Sequence, residues 1–120
     1  MNDIKTQDRV YRPLVYICSP LSGDETGNIE KARRYCRFAV DRGQIPLAPH
    51  LLFPQFMNDT DPEERELAVR MAVVLLGKCQ EVWVFGNRET GGMAAELAVA
   101  KRRRQPVRYF TEDLEEVEKA

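Results

Sequence analysis

The sequence has little of what marks membrane, secreted or nucleic-acid-binding proteins. Its 18 basic and 19 acidic side chains give a net charge of −1, which is no electrostatic footprint for nucleic acid. No apolar run is long enough to span a bilayer, and residues 1–12 lack the apolar segment of a signal peptide. A G-x-G-x-x-G dinucleotide fingerprint is also missing after the first predicted strand.

Cysteine and histidine are both scarce. The cysteines at 18, 36 and 79 are odd in number and widely spaced, which is typical neither of a disulfide framework nor of a paired metal site. Reduced thiols in a cytoplasmic protein are the simplest account. A lone histidine, here His50, is more often structural than catalytic, although it titrates near neutrality, and both roles stay open.

What the sequence does contain is an alternation of short apolar strands and longer helices. No repeat, linker or low-complexity tract divides its 120 residues, so we expect a loose lead-in at residues 1–12 and one domain at residues 13–120. The predicted strands are 14–18, 45–48, 81–85 and 107–110, and the predicted helices are 28–42, 61–76, 91–104 and 112–119. This order, β-α-β-α-β-α-β-α, predicts an α/β fold: a three-layer, open parallel sheet of flavodoxin-like or Rossmann-like layout.

Local signals refine several of these elements. The unbroken apolar character of the first strand predicts burial on both faces, and Pro46 places the second strand at an edge of the sheet. Asn28 is expected to cap the first helix and Asp61, followed by Pro62, the second; Thr111 is expected to cap the acidic terminal helix. The predicted buried positions are Ile29, Ala32, Cys36, Ala39 and Val40 in the first helix and Leu67, Met71, Val74 and Leu75 in the second.

The segment from Glu81 to Glu96 is the one around which the chain is organised. Its strand ends in a polar turn, and Gly91 and Gly92 then open a helix, where free N–H groups attract anions and a ligand can approach closely. Glu96 lies little more than one turn inside, and we expect the positive end of the helix to favour its ionised form. A carboxylate beside a pocket can act as a nucleophile or base. The alternative is an ordinary turn with a solvated glutamate.

Two other loops carry candidate functional residues. Residues 19–24 are dense in hydroxyls and breakers, which suits a phosphate or sugar hydroxyl or equally a simple loop. Residues 49–56 form an apolar, proline-punctuated loop that includes His50. Its leucines and phenylalanines could wall a pocket for a base or meet another subunit.

Three pieces of the chain together resemble the nucleoside 2-deoxyribosyltransferase-like superfamily. They are VYICSPLSGD after the first strand, PLAPHLLFPQF after the second and WVFGNRETGGMAAELAVAK around the third. The similarity covers about residues 13–110 and points to a small, uncharacterised bacterial and phage branch, described only as domains of unknown function.

The resemblance implies an enzyme that breaks or exchanges the N-glycosidic bond of a nucleoside or nucleotide. Glu96 matches the nucleophile at the anomeric carbon, and Tyr16 matches a tyrosine beside it. The implied ligand-binding positions are Ser19, Pro20, Ser22, Gly23, His50, Gly86, Thr90, Gly91, Gly92 and Met93. No metal or redox cofactor is expected, and the expected partners are a small-molecule nucleoside or nucleotide and further copies of the chain, with no nucleic acid and no membrane.

One feature of the superfamily is missing. Many relatives carry an aspartate ahead of the third strand, whereas residues 71–74 contain no acid and Gln80 stands where an aspartate is usual. Glu66 and His50 are left as replacements for the group that protonates the departing base. The departure keeps two rival hypotheses open, a nucleotide-binding or NAD-derived-ligand-binding module without turnover and a purely structural component.

Overall fold

In the computed structural model, which describes residues 11–21 and 23–118, a mixed sheet lies between two layers of helices. Most of the expected lead-in at residues 1–12 and the predicted site residue Ser22 lie outside the described residues. The elements are β1 (Leu14–Cys18), α1 (Glu25–Asp41), β2 (Ile45–Leu47), α2 (Pro49–Leu52), a 3₁₀ turn (Phe53–Gln55), α3 (Pro62–Leu76), β3 (Glu81–Phe85), α4 (Gly91–Arg102), β4 (Val107–Phe110) and β5 (Glu116–Val117). Within this part of the chain no helix is both long and apolar enough to cross a bilayer.

The strand order is β2-β1-β3-β4-β5, which confirms the predicted flavodoxin-like α/β fold. The first four strands are parallel, and β5 runs antiparallel to β4. Edge strand β2 pairs only with β1, as Pro46 predicted. The chain leaves β1 toward one side of the sheet and β3 toward the other, so a crevice opens where the carboxyl ends of β1 and β3 meet.

Side chains alternate between the two faces of the central strands. Tyr16 and Cys18 of β1 share one face with Val82 and Val84 of β3, and α3 and α4 cover that face. The opposite face is an aromatic layer under α1, formed by Trp83, Phe85 and Phe110 with Tyr35. All described residues of β1 and β3 except the first of each are buried, as the apolar run predicted.

Helix α1 begins earlier than predicted. Its N-cap is Asp24, whose Oδ1 accepts a hydrogen bond from the Gly27 amide at 3.2 Å, whereas Asn28 is buried inside the helix and donates to the Leu21 carbonyl. Of the expected buried stripe, Ala32 and Ala39 are buried, Ile29 and Cys36 are half-buried, and Val40 is 41% exposed. Tyr35, which was not in the predicted stripe, is also buried and stacks on Phe85 with ring centroids 4.2 Å apart.

Helix α3 begins and ends where the sequence predicted but turns a different face inward. The Asp61 carboxylate accepts from the Glu63 amide, and Gly77 is the C-cap. Its buried residues are Ala72 and Leu76, while the predicted core residues Leu67 and Val74 are 49% and 60% exposed. Ala72 and Leu76 lie four residues apart on one side of α3, and Leu67 and Val74 lie on the opposite side.

The predicted terminal helix is wrong. Thr111 Oγ1 does accept from the amides of Asp113 and Glu115, both at 3.2 Å, but the backbone then reverses at Leu114, where φ is +71°. The chain returns as β5, and Glu116 forms a two-pronged ion pair with Arg108 of β4 at 2.6 and 2.8 Å. The apolar loop at 49–56 is also more ordered than expected, since it holds α2 and the 3₁₀ turn.

Candidate functional site

A cavity of about 410 Å³ lies in the crevice at the carboxyl end of β1, between α3 and the start of α4. This is where open α/β sheets bind ligands. The structure brings together most of the sequence-predicted site residues there. Those that line the cavity are Tyr16, Ser19, His50, Thr90, Gly91, Gly92, Met93 and Glu96.

Glu96 projects from the second turn of α4 toward β1. The Tyr16 hydroxyl donates a hydrogen bond to Oε2, and the Cys18 thiol lies 3.7 Å from Oε1. Tyr16 and Cys18 are two residues apart on one strand and therefore point to the same face of the sheet. Strand β1 thus holds both oxygens of the carboxylate, and the carboxylate itself faces the cavity.

Burial has the largest effect on the pKa of the Glu96 carboxyl. It raises the pKa of Glu96, and the hydrogen bonds from Tyr16 and Cys18 act against that rise. Desolvation thus acts against the positive end of α4, which we expected to favour the ionised form of Glu96. Burial and the neighbouring carboxylate also raise the pKa of Tyr16 well above its ordinary value, so Tyr16 stays a proton donor to Glu96.

Thr90 joins the cavity to the start of α4. Its Oγ1 is the N-cap and accepts a hydrogen bond from the Met93 amide at 3.3 Å, which leaves the hydroxyl proton free to donate. Gly91 has no atom within 4 Å of the position a Cβ would take, so a ligand can reach the backbone there. Met93 lines the cavity with one part of its side chain and is otherwise packed in the core under α3 and α4.

His50 lies on α2, with Nε2 3.3 Å from Ser19 Oγ. Burial lowers the pKa of His50 to about 4, so the ring is neutral near pH 7. A neutral imidazole keeps one weakly acidic N–H, so His50 is a poor general acid for a departing base near neutrality. Its contact with Ser19 instead fixes α2 against the loop that follows β1.

Three other predicted site residues that the structure describes, Pro20, Gly23 and Gly86, do not line this cavity. Pro20 and Gly86 line a second cavity of about 50 Å³, together with Lys31, Arg88 and Glu112 among others. Gly23 has φ +105°, and a Cβ there would lie 3.5 Å from the Arg88 guanidinium.

Sequence reasoning anticipated only part of the far wall of the large cavity. Phe53 and Pro54 belong to the loop at residues 49–56 that was expected to wall a pocket for a base, and both line the cavity. Met57 and the polar residues of this wall were not expected there; the polar residues are Asn58, Asp59, Glu64 and Arg65. The path of the chain between the 3₁₀ turn and α3 brings them to the cavity. Of the two expected proton donors, Glu66 is not in the cavity; it pairs with Arg70 on the exposed side of α3.

The fold and the cavity define a class, the α/β proteins of flavodoxin-like order that carry a ligand crevice at the strand switch point. Eleven chains of solved structures match this one. Among them is a 2-deoxyribosyltransferase from the psychrotolerant bacterium Bacillus psychrosaccharolyticus, with a TM-score of 0.63 and 19% identity over 82% of this chain and 72% of that one. At that identity the likeness shows the fold.

The family is shown by a sequence model. The model described as "Domain of unknown function (DUF7768)" matches residues 13–110, and the chain belongs to that family. No curated protein matches the chain.

Proposed function

We propose that the protein is an N-glycosidase or 2-deoxyribosyltransferase that acts on a nucleoside or nucleotide, in a small bacterial and phage branch of the nucleoside 2-deoxyribosyltransferase-like superfamily. The observation that carries the proposal is the half-buried side chain of Glu96, which lines the cavity and accepts a hydrogen bond from the Tyr16 hydroxyl. The likeness to the solved 2-deoxyribosyltransferase supports it at the level of the fold.

The reaction assigned to Glu96 is a double displacement. The carboxylate attacks the anomeric carbon, a C–O bond forms, and the C–N bond breaks with its electron pair leaving on the base, which takes up a proton. Water, or a second base, then attacks the same carbon and releases the carboxylate. Hydrolysis yields the free sugar, and attack by a second base yields a new nucleoside.

The cavity has the size and the chemistry for such a substrate. Its volume of about 410 Å³ falls within the range of small-molecule sites, roughly 300–1,000 Å³. Phe53 and Met57 offer an apolar wall for a base, while Ser19 and Thr90 offer hydroxyls near Glu96 for the sugar. Asp59 and Glu64 are the other carboxyl groups of the cavity, and they can relay a proton from water to the departing base.

A binding module without turnover is the second candidate function. The observation that favours it is the engagement of both Glu96 oxygens by protein groups, together with the raised pKa of this carboxyl. A protonated Glu96 is a poor nucleophile but a good hydrogen-bond donor to a bound nucleotide or NAD-derived ligand.

The test is a chromatographic screen for free base. The protein is incubated with deoxynucleosides, deoxynucleoside monophosphates, ribonucleotides and NAD, beside Glu96→Gln, which keeps the shape of the side chain and removes its charge. The control is Glu89→Gln, because Glu89 is exposed on the neighbouring turn and does not line the cavity. We expect base release by the wild type and Glu89→Gln, and a loss of at least a thousandfold in Glu96→Gln. Undiminished release by Glu96→Gln contradicts the assignment, and binding without release selects the binding module.

We further propose a cytoplasmic homo-oligomer. All three cysteines are free thiols, which suits a reducing compartment. Large apolar side chains on α3 and on the α2 region stand exposed: Leu52, Phe56, Leu67, Val69 and Val74. Association of copies would cover such groups.

A further inference from the structure

The large cavity is acidic. Three carboxyl groups line it, those of Asp59, Glu64 and Glu96, and Arg65 is the one basic side chain among its described lining residues. His50 also lines it, but burial keeps that ring neutral near pH 7. Every additional negative charge brought into the cavity therefore meets carboxylates on two sides.

Arg65 is already bound to the protein. Its Nε and Nη2 donate to the Asp59 carbonyl at 3.2 and 2.9 Å, and its guanidinium lies 3.8 Å from the Asp59 carboxylate. The Glu64 carboxylate accepts from the Asn58 amide through Oε1 at 2.7 Å, and Oε2 has no partner among the described residues. The far wall thus presents hydrogen-bond acceptors to a ligand. The guanidinium of Arg65 is engaged by Asp59 and holds the loop before α3 in place.

The partial positive charge at the start of α4 does not cancel the negative charge of the cavity. A helix N-terminus carries roughly half a positive charge. The carboxylate of Glu96 belongs to the same helix end and faces the same cavity. When Glu96 is ionised, as nucleophilic attack requires, it more than offsets that partial charge.

The other cations of this region face elsewhere. Lys31 and Arg88 line the small cavity beside Pro20, and the two cavities share no lining residue. Lys31 is moreover paired with Glu112 at 2.6 Å. A phosphate attached to a ligand in the large cavity therefore lies among carboxylates, whereas Lys31 and Arg88 line the other cavity.

We propose that the large cavity selects an unphosphorylated nucleoside and rejects the 5′-monophosphate, and that Asp59 and Glu64 are the residues that set this selectivity. The proposal names the substrate class of the proposed function and rests on it. Its physical basis is the repulsion between a phosphate dianion and the carboxylates that line the same cavity.

The experiment measures both binding and turnover. Affinities for a deoxynucleoside and its 5′-monophosphate are determined calorimetrically on Glu96→Gln, and kcat/KM for the same pair is determined on the wild type. The double variant Asp59→Asn/Glu64→Gln removes the two charges and keeps the shapes. It is made on the Glu96→Gln background and compared by affinity alone, because both carboxyl groups also belong to the proposed proton relay. Its control is Glu66→Gln, a change of the same kind on the exposed side of α3, where Glu66 pairs with Arg70 and does not line the cavity.

We expect the wild type to favour the nucleoside at least tenfold, the double variant to lose most of that preference, and Glu66→Gln to keep it. Equal or better use of the monophosphate overturns the proposal, and if Arg88→Gln then abolishes that use, the phosphate lies in the small cavity. Binding of neither compound also overturns it. Selective nucleoside binding with no base released would leave the selectivity intact and refute the proposed catalysis instead.

Discussion

At the scale of residues, the contact between Tyr16 and Glu96 decides how the site works. The hydroxyl cannot ionise near neutrality, because burial and the adjacent carboxylate both raise the pKa of Tyr16. It therefore acts as a fixed donor that orients Glu96 and favours its charged form. Its neighbour Cys18 does the same more weakly, since a thiol is a poor donor.

Replacing Tyr16 by Phe tests this role. Loss of one hydrogen bond to a charged group, worth about 1.5–3 kcal/mol, should lower kcat/KM roughly 10- to 100-fold. The hydrogen bond from Tyr16 lowers the pKa of Glu96, so its removal should raise that pKa. Because the proposed attack by Glu96 needs the ionised form, the rise of kcat/KM with pH should move to higher pH, which a pH–rate profile measures.

Tyr35→Phe is the matched control for that experiment. Tyr35 is equally buried but stacks on Phe85 in the opposite layer, away from Glu96. Removal of the Tyr35 hydroxyl should leave the pH dependence of kcat/KM unchanged. A profile of Tyr16→Phe that superimposes on the wild type would show that the contact is only structural.

The sequence could point to one side of this site but not to the other. Glu96, Tyr16 and Thr90 lie in or beside motifs that mark strand ends and a helix start, so their meeting in one cavity follows from the parallel sheet. Asp59 carries no such mark, and Glu64 is marked only as part of the helix start at Asp61, not as a cavity residue. They reach the cavity because the chain folds back between Phe53 and α3, a tertiary event with no local signature.

At the scale of elements, α3 is the wall that carries the acidic residues. Its first turn holds Glu64 and Arg65, and its start is fixed by the Asp61 carboxylate, which accepts from the Glu63 amide at 3.0 Å. The Asp61 cap and the cavity wall are coupled, because fraying of the first turn of α3 would displace Glu64 and Arg65, which line the cavity.

We expect Asp61→Ala to destabilise the protein by about 1 kcal/mol, within the 0.5–2 kcal/mol range for lost N-caps. Ligand affinity should fall more than stability alone explains, since the frayed turn carries Glu64. Chemical denaturation and calorimetric binding measure the two effects. Asp61→Ser keeps a capping oxygen and should restore both; identical behaviour of the Ala and Ser variants would exclude a capping role.

The elements also show where local reading fails. Asp61, Pro62 and Gly77 predicted the ends of α3, because caps are local hydrogen bonds. The terminal helix was predicted from the same kind of signal at Thr111. The chain instead reverses at Leu114 and forms β5, which pairs with β4. An open strand edge offers backbone hydrogen bonds that a short, highly acidic helix cannot match.

At the scale of the whole molecule, the sheet order was predictable while the outer surfaces were not. Alternating strands and helices imply parallel pairing, and an unbroken apolar β1 implies a central position. Which apolar residues of a helix remain outside depends on side-chain size across the interface. Ala72 is buried where Val74 is exposed, although valine is the more apolar residue.

The exposed face of α3 gives a test of self-association. Leu67 and Val74 are seven residues apart, hence on one side of the helix. If copies meet there, Leu67→Glu/Val74→Glu should shift the protein toward monomer in light scattering at micromolar concentration. Val40→Glu, an exposed position on α1 across the sheet, should leave the mass unchanged. A wild type that is already monomeric refutes the proposed oligomer.

Edge strand β2 has a consequence for behaviour at high concentration. It is three residues long and its middle residue, Pro46, has no amide proton, so it is a poor template for another strand. The opposite edge, β5, has only two residues. Neither sheet edge can readily form backbone hydrogen bonds with a strand of another copy. The protein should therefore resist fibril-like growth, even if copies associate through the exposed apolar side chains of the helices. Crowded solutions should give reversible clusters that dilution dissolves.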